Sequence, residues 1–269
     1  MEVEKDQIIK KLETEVHSIR DYDTMNKYCI NLNENIQGIW KKLECQQQNA
    51  ELLEDNLYEM KKEDFFKMWA CYGIPRIIFV KKSEVMFELD KKRKDLKSEQ
   101  KTEYKKTLQD ISNLKNDYET NLLINNTDNY ERNYEIFSDL NFKIDKMIKH
   151  CALLNEYQVI VGFKTPTDFS EIKEIYNSFI NYYNLWDSVY KFLNSKEEIW
   201  MKQPLKKINR KDLKATYDSC TGMLDKLEKT IFRRDKPNPW QVIQQTKEHI
   251  KDFQPILPVL YDLVNPDLK

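Results

Sequence analysis

The stretch SEIKEIYNSFINYYNLWDSVYKFL, from Ser170 to Leu193, decides the fold. Within it Ile172, Ile175, Phe179, Tyr183, Trp186, Tyr190 and Leu193 recur at three- and four-residue steps, which places them on one face of an α-helix. So many large rings on one stripe need facing helices to fill against, so the stretch predicts a well-filled interhelical seam. Its start is marked by Thr165-Pro166-Thr167-Asp168 or, slightly later, by Ser170. A side-chain oxygen there can cap the orphan amides, and a proline in the first turn gives up an N–H that has no partner anyway. Trp200 closes the run just before a stop at Pro204.

The same period continues on the C-terminal side. Leu213, Tyr217, Cys220, Leu224, Leu227 and Ile231 form the cleanest heptad-like stripe, with Asn209 as the expected cap. Asn238-Pro239-Trp240 restarts the chain, and Val242, Ile243, Thr246, Ile250, Phe253 and Leu257 form a further stripe interrupted by Pro255 and Pro258. A short kinked helix is expected to end at Asn265-Pro266.

On the N-terminal side, Tyr130 through Leu154 read as a core-facing helix after an Asn125–Asn129 loop. From Ser83 to about Ile124 a charged segment carries only a thin stripe, which predicts one long, partly exposed helix. Further back, three stripes run through Ile8 to Ile19, Cys29 to Leu43 with Ile36 and Trp40, and Ala50 to Met60 with Leu53 and Leu57. Between them and the long helix the pattern breaks at Tyr72-Gly73-Ile74-Pro75-Arg76, which predicts a corner, because proline cannot continue a helix.

Composition agrees with this reading. Only four glycines in 269 residues, 33% charged residues and a mean hydropathy of −0.77 point away from a compact α/β enzyme and toward an all-α chain of elongated helical bundles with proline-marked joints. Forty-four Lys and Arg against 45 Asp and Glu, interleaved throughout, leave no basic field for nucleic acid. The run Lys91-Lys92-Arg93-Lys94 reads as a solvated helix face, diluted by Glu84, Glu88, Asp90, Asp95 and Glu99. Apolar runs fall far short of the roughly 20 residues a membrane helix needs, so no membrane partner is expected. Cys29, Cys45, Cys71, Cys151 and Cys220 are scattered without a CxxC pair, which fits a reducing cytosol.

No residue pattern announces catalysis. A GxxxxGK[ST] loop is absent, and Gly38, Gly73, Gly162 and Gly222 are isolated, so no nucleotide cofactor is expected. His17, His150 and His249 are too separated for a metal site. Cys71, without a nearby His, reads as a packing thiol. Trp186, Trp200 and Trp240 read as core; Trp69, with Phe65, Phe66 and Met68, reads equally as an exposed anchor or as a junction buried within the molecule. Catalytic, cofactor-binding and metal residues are therefore expected to be none.

From about Val85 to Lys269 the order of landmarks resembles the second N-terminal region of dynein heavy chains, the part running from the end of the tail into the linker. The residues that carry it are Asn155-Glu156, Val161-Gly162-Phe163, Pro166-Thr167-Asp168-Phe169, Leu185-Trp186, Glu198-Ile199-Trp200-Met201-Lys202-Gln203-Pro204-Leu205, the Leu227-Glu228-Lys229-Thr230 turn, Phe253-Gln254-Pro255-Ile256-Leu257-Pro258, and Leu263-Val264-Asn265-Pro266-Asp267-Leu268-Lys269. The resemblance implies a division into a tail-like segment, residues 1–84, and the N-terminal part of a linker, residues 85–269. It implies a mechanical role in microtubule-based motility, an axonemal rather than cytoplasmic class, and a setting in the cytoskeleton of a cilium or flagellum. Its partners would be the remaining heavy chain with its ATPase ring, and intermediate or light chains for the N-terminal part. Family members continue past this point with a His-Trp-containing stretch, the rest of the linker and the ATPase ring, so the chain as given is expected to be a fragment or a truncated relative, not a motor ATPase by itself. Candidate joints are Gly73, Pro75, Pro204, Pro255 and Pro258; Trp186, Trp200, Leu257, Asn265 and Pro266 are the expected packing positions of the linker motifs. Periodicity alone equally supports a spectrin-like or coiled-coil scaffold without motor activity.

Overall fold

The computed structural model describes residues 1–232 and 236–264, and within them every regular element is helical. The all-α class expected from the sequence is what the chain adopts. Nine α-helices follow in order among the described residues: α1 Glu2–Leu12, α2 Ile19–Asp55, α3 Lys62–Tyr72, α4 Ile74–Asn121, α5 Tyr130–Ile160, α6 Ser170–Asn194, α7 Arg210–Thr230, α8 Pro237–Phe253 and α9 Ile256–Leu263. A π-helical turn, Ser195–Trp200, and a 3-10 turn, Leu205–Lys207, lie between α6 and α7. Packing groups the residues into two compact units, 1–104 with 154–167, and 105–153 with 168–269.

In the first unit, Ile8 and Leu12 of α1, Cys29, Leu32, Ile39 and Leu43 of α2, Ile74, Ile78, Leu89 and Leu96 of α4, and Val161 form the core. The Ile8 to Ile19 stripe is broken in two by a local signal the periodicity hides. Ser18 Oγ accepts from the Asp21 amide at 3.2 Å and the Asp21 carboxylate accepts from the Ser18 amide at 2.9 Å, a reciprocal capping box that starts α2. The Ser18 hydroxyl also donates to the Asp21 carboxylate at 2.8 Å, and that bond, with the one from the Ser18 amide, holds the Asp21 carboxyl below its ordinary value.

The helical stripe expected from Ala50 to Met60 is cut at Asp55, where α2 ends, and does not become core. From Glu44 to Gly73 no residue is buried, and Trp40, read as part of the preceding stripe, is exposed as well. Spacing fixes which residues share a face; it does not supply the facing helix. A helix break falls within residues 72–76 as expected, between the end of α3 at Tyr72 and the start of α4 at Ile74, but its details differ. Gly73 adopts right-handed helical dihedrals, φ −76° and ψ −19°, and α4 begins at Ile74, nine residues before the Ser83 start read from the pattern. Pro75 falls in the first turn, where its missing N–H has no intrahelical partner to lose.

In the second unit the stripes of α6, α7 and α8 all turn inward. Asn209 caps α7 as expected, accepting from the Lys211 amide at 3.0 Å. The Asn125–Asn129 loop is held by its own amides: Asn126 accepts from the Asp128 N–H, and Asn133 donates to the Asn126 carbonyl at 3.0 Å.

Four of the five cysteines are at least partly covered. Burial pushes the Cys151 and Cys220 thiols up to about 11 and raises Cys29. Since the thiolate is the reactive form, a chromogenic disulfide reagent at pH 8 should label Cys45 within minutes and leave Cys29, Cys151 and Cys220 unreacted until denaturant is added. Labelling of those three at the Cys45 rate would contradict the burial described.

Candidate functional site

The candidate site is the aromatic seam of the second unit together with the proline-marked breaks that interrupt its helices. On α6, Phe179, Trp186, Val189 and Phe192 are fully buried, and Phe137 of α5 stacks on Trp186 with centroids 5.9 Å apart and planes 19° apart. Phe137 also stacks on Phe179 at 6.0 Å, and Tyr118 meets Phe179 edge to face at 5.7 Å. Farther along, Trp200 stacks on Phe253 of α8 at 5.2 Å and meets Phe192 edge-on at 6.1 Å. Ring pairs of this kind add about 0.5–1.5 kcal/mol beyond their burial. Desolvation in this seam raises the Tyr118 and Tyr182 hydroxyls.

The π-helical turn ends α6. The Met201 amide reaches back five residues to the Lys196 carbonyl at 3.1 Å, and Trp200 is carried onto the two phenylalanines. Wide turns of this type inside helices are concentrated at functional positions. Pro204 follows in an extended conformation, φ −58° and ψ 135°, its side chain in solvent and its carbonyl accepting from the Lys207 amide at 2.8 Å. At the other break, Gln254 and Pro255 both keep right-handed helical dihedrals. The chain passes from α8 to α9 through a two-residue break where proline withdraws a donor. Pro258 lies in the first turn of α9 and, with Leu257, Tyr261, Lys214 and Asp218, lines a shallow cleft of about 200 Å³.

Of the packing positions named from the sequence, Trp186 and Trp200 are buried and Leu257 is half-buried; Asn265 and Pro266 lie outside the described residues. Among the joint positions, Pro75 is buried, whereas Pro204, Pro255, Pro258 and Gly73 are exposed. A methyl group at Gly73 would meet only the Ala70 carbonyl at 3.5 Å, an ordinary contact, so nothing there requires glycine.

Two further groups escape the sequence reading. The first is Gly162, at φ +79°. Its amide bonds the Val159 carbonyl at 3.0 Å and the Phe163 amide bonds Gln158 at 2.9 Å, the paired closure that ends α5. Arg93 lies directly over its Cα and donates Nε–H to the Val161 carbonyl at 3.0 Å. Thus the Lys91 to Lys94 run is not uniformly a solvated face. The buried Gln158 side chain accepts from Thr167 through both amide and hydroxyl, at 2.8 and 3.0 Å, which fixes the loop that carries Pro166. The signal was present in the Val-Gly-Phe motif, but an isolated glycine looks alike whether it closes a helix or sits idle.

The second is an ion cluster between α7 and α8. Lys247 reaches Glu228 and Asp225, each at 2.5 Å, and Gln244 donates to Glu228. Residues 227–230, read as a turn, are the last turn of α7. The Lys247 ammonium holds the Glu228 carboxyl below its ordinary 4.5 against the opposing effect of burial. Burial would lower Lys247 itself, but the two carboxylates outweigh it and raise its value above 10.5. A lowered carboxyl stabilises the fold at pH above its unfolded value and loses that contribution as pH falls through the folded one. Glu228→Gln should therefore cost about 0.5–1 kcal/mol at pH 7, a small figure because the pair is part-exposed. In urea unfolding the gap between variant and parent should narrow as pH falls below the ordinary 4.5 and through the lowered folded value; a gap that does not narrow between pH 7 and pH 3 would mean that packing, not charge, carries the effect.

Among the described residues no three His, Cys, Asp or Glu side chains gather as a metal site requires, and no helix is long and apolar enough to cross a membrane. What the arrangement provides is aromatic packing between helices of 17 to 25 residues, with breaks at fixed positions.

Residues 172–269 match the family model described as "Dynein heavy chain, N-terminal region 2". Over 97% of its length the chain is 20% identical to dynein axonemal heavy chain 1 of Homo sapiens and 21% identical to that of Mus musculus. It spans about 6% of the length of these relatives.

Proposed function

We propose, from the premise that this chain carries the N-terminal region of a dynein heavy chain, that it is the mechanical segment joining tail to linker in an axonemal motor. Residues 1–84 are the tail-like part and residues 85–269 the N-terminal part of the linker, a division of role along the chain that is separate from its two packing units. The observation that carries the reading is the position of the aromatic seam. The family match begins at Ile172, the first buried residue of α6, and runs through every ring of the Phe192, Trp200 and Phe253 cluster. A segment that transmits force needs stiffness between localised bends, and side-chain packing of this density interrupted at Pro204 and Pro255 supplies both.

In this reading the segment itself holds no nucleotide. The remaining heavy chain turns over ATP, the assembly works on microtubules in a cilium or flagellum, and intermediate or light chains engage the N-terminal part. The test is Pro204→Ala in the full-length heavy chain, followed by microtubule gliding. Gliding should slow by about two-fold or more while ATP turnover persists, since a bend that no longer localises wastes displacement without touching chemistry. If the speed is unchanged, Pro204 is only a helix stop. A spectrin-like scaffold predicts that no substitution in the seam alters gliding in any heavy chain that contains it.

A further inference from the structure

The end of α2 and the outer face of α3 present an exposed apolar surface, while Cys71 and Tyr72 at the end of α3 pack against the core of the first unit. α3 buries none of its residues, although Phe65, Phe66, Trp69 and Tyr72 form a ladder of edge-on and tilted rings 5.8 to 6.1 Å apart. Phe66 is 67% exposed and Trp69 59%. Leu52, Leu53, Leu57 and Tyr58, at the end of α2 and in the turn that follows it, are exposed as well. Helices this short are marginal in water without a packed face, so an uncovered aromatic stripe on one is unusual.

The turn itself holds a strained leucine. Leu57 sits at φ 55° and is 92% exposed. Its amide bonds Glu54 and the Tyr58 amide bonds Leu53, the same closure that Gly162 makes, but with a side chain where glycine or asparagine would be relaxed. That conformation is strained for an L-residue, and it holds a large apolar side chain in solvent in the turn that leads to α3.

Charge identifies the occupant. From Glu44 to Glu59 there are five acidic residues, Glu44, Glu51, Glu54, Asp55 and Glu59, and no Lys or Arg; Glu63 and Asp64 add two more on the first turn of α3, against Lys61, Lys62 and Lys67. The seven carboxylates are all exposed. An excess of exposed carboxylates over lysines along residues 44–67, seven against three, disfavours a second copy of the same surface and an anionic lipid surface alike, because each would set like charges together. We propose that this surface docks a basic amphipathic helix of a separate polypeptide, its apolar face on Phe66, Trp69 and Leu57 and its Lys and Arg residues toward these carboxylates. The inference draws on the tail-like reading only for the partner's place in a larger assembly. Its test involves no motility, so it can fail while the mechanical reading stands.

A fluorescein-labelled 18-residue helical peptide of leucine and lysine serves as the probe, titrated with the full chain in fluorescence anisotropy. Micromolar binding is expected, weakened at least ten-fold in the Phe66→Ser/Trp69→Ser variant and similarly in Glu54→Lys/Glu59→Lys, and reduced at high salt. These positions are exposed, so circular dichroism should show both variants folded. A Glu2→Gln/Glu4→Gln variant on α1 should bind as the parent does. Equal binding to the parent and the Phe66/Trp69 variant would overturn the proposal. So would equal affinity for a leucine and glutamate peptide, or a concentration-dependent dimer in sedimentation that the Phe66/Trp69 variant abolishes, which would assign the surface to a second copy.

Discussion

Trp186→Ala will destabilise the second unit by about 3–5 kcal/mol, the cost of deleting a large ring from a filled core. Trp186 is 1% exposed, and Phe137 stacks on it from α5. Phe137 is itself tied to Phe179, and through it to Tyr118, so the void would open at the centre of a continuous ring contact and could not close by movement of one side chain. Trp186→Phe keeps most of the volume and should lose less than half as much. Trp40→Ala, on a residue 50% exposed, should fall within about 0.5 kcal/mol of the parent. Urea unfolding followed by circular dichroism gives all three. A Trp186→Ala loss below 1 kcal/mol would mean that this ring is not the centre of the core.

Gly162→Val will cost about 3 kcal/mol for two separable reasons. A β-branched residue at φ +79° leaves the allowed region that glycine occupies freely, and the left-handed conformation alone costs about 1–2 kcal/mol for an L-residue. The new side chain would also meet the Arg93 guanidinium, whose nearest nitrogen lies 2.1 Å from the position of a Cβ. Arg93 is long enough to swing away, but then the Val161 carbonyl loses its charged donor, worth about 1.5–3 kcal/mol where it is buried. A cycle with Arg93→Ala separates the terms. Gly162→Val should cost less in the Arg93→Ala background, and Gly162→Asn, which tolerates the left-handed region, should cost about 1 kcal/mol or less for the backbone term. Additive losses would show that Arg93 and Gly162 do not act together.

What was legible in the sequence follows from how local each determinant is. The stripes of α6, α7 and α8 were readable because three- and four-residue spacing is a property of the helix itself, and most of those residues are buried, with Tyr183, Tyr190 and Tyr217 partly so. Asn209 as a cap and the loop before Tyr130 were readable for the same reason, since a side chain bonding a backbone amide two residues away needs no distant partner. The Ser18 and Asp21 capping box was equally local and was hidden only because the apolar period runs across it. The Ala50 to Met60 stripe misled because α2 ends at Asp55 and the chain turns at Leu57, so Leu57 and Met60 leave the face that Ala50 and Leu53 occupy, and none of the four is buried.

The sequence by itself therefore determined an all-α chain, the faces its C-terminal helices bury and most of the positions where proline interrupts them. These depend on backbone sterics and on the 3.6-residue period. Only the tertiary structure decided that Arg93 closes over Gly162, that Lys247 binds Glu228 and Asp225, that Trp200 stacks on Phe253, and that Trp69 stays in solvent. Each of those depends on which side chains distant in sequence arrive at the same place, and a one-dimensional period carries no term for that.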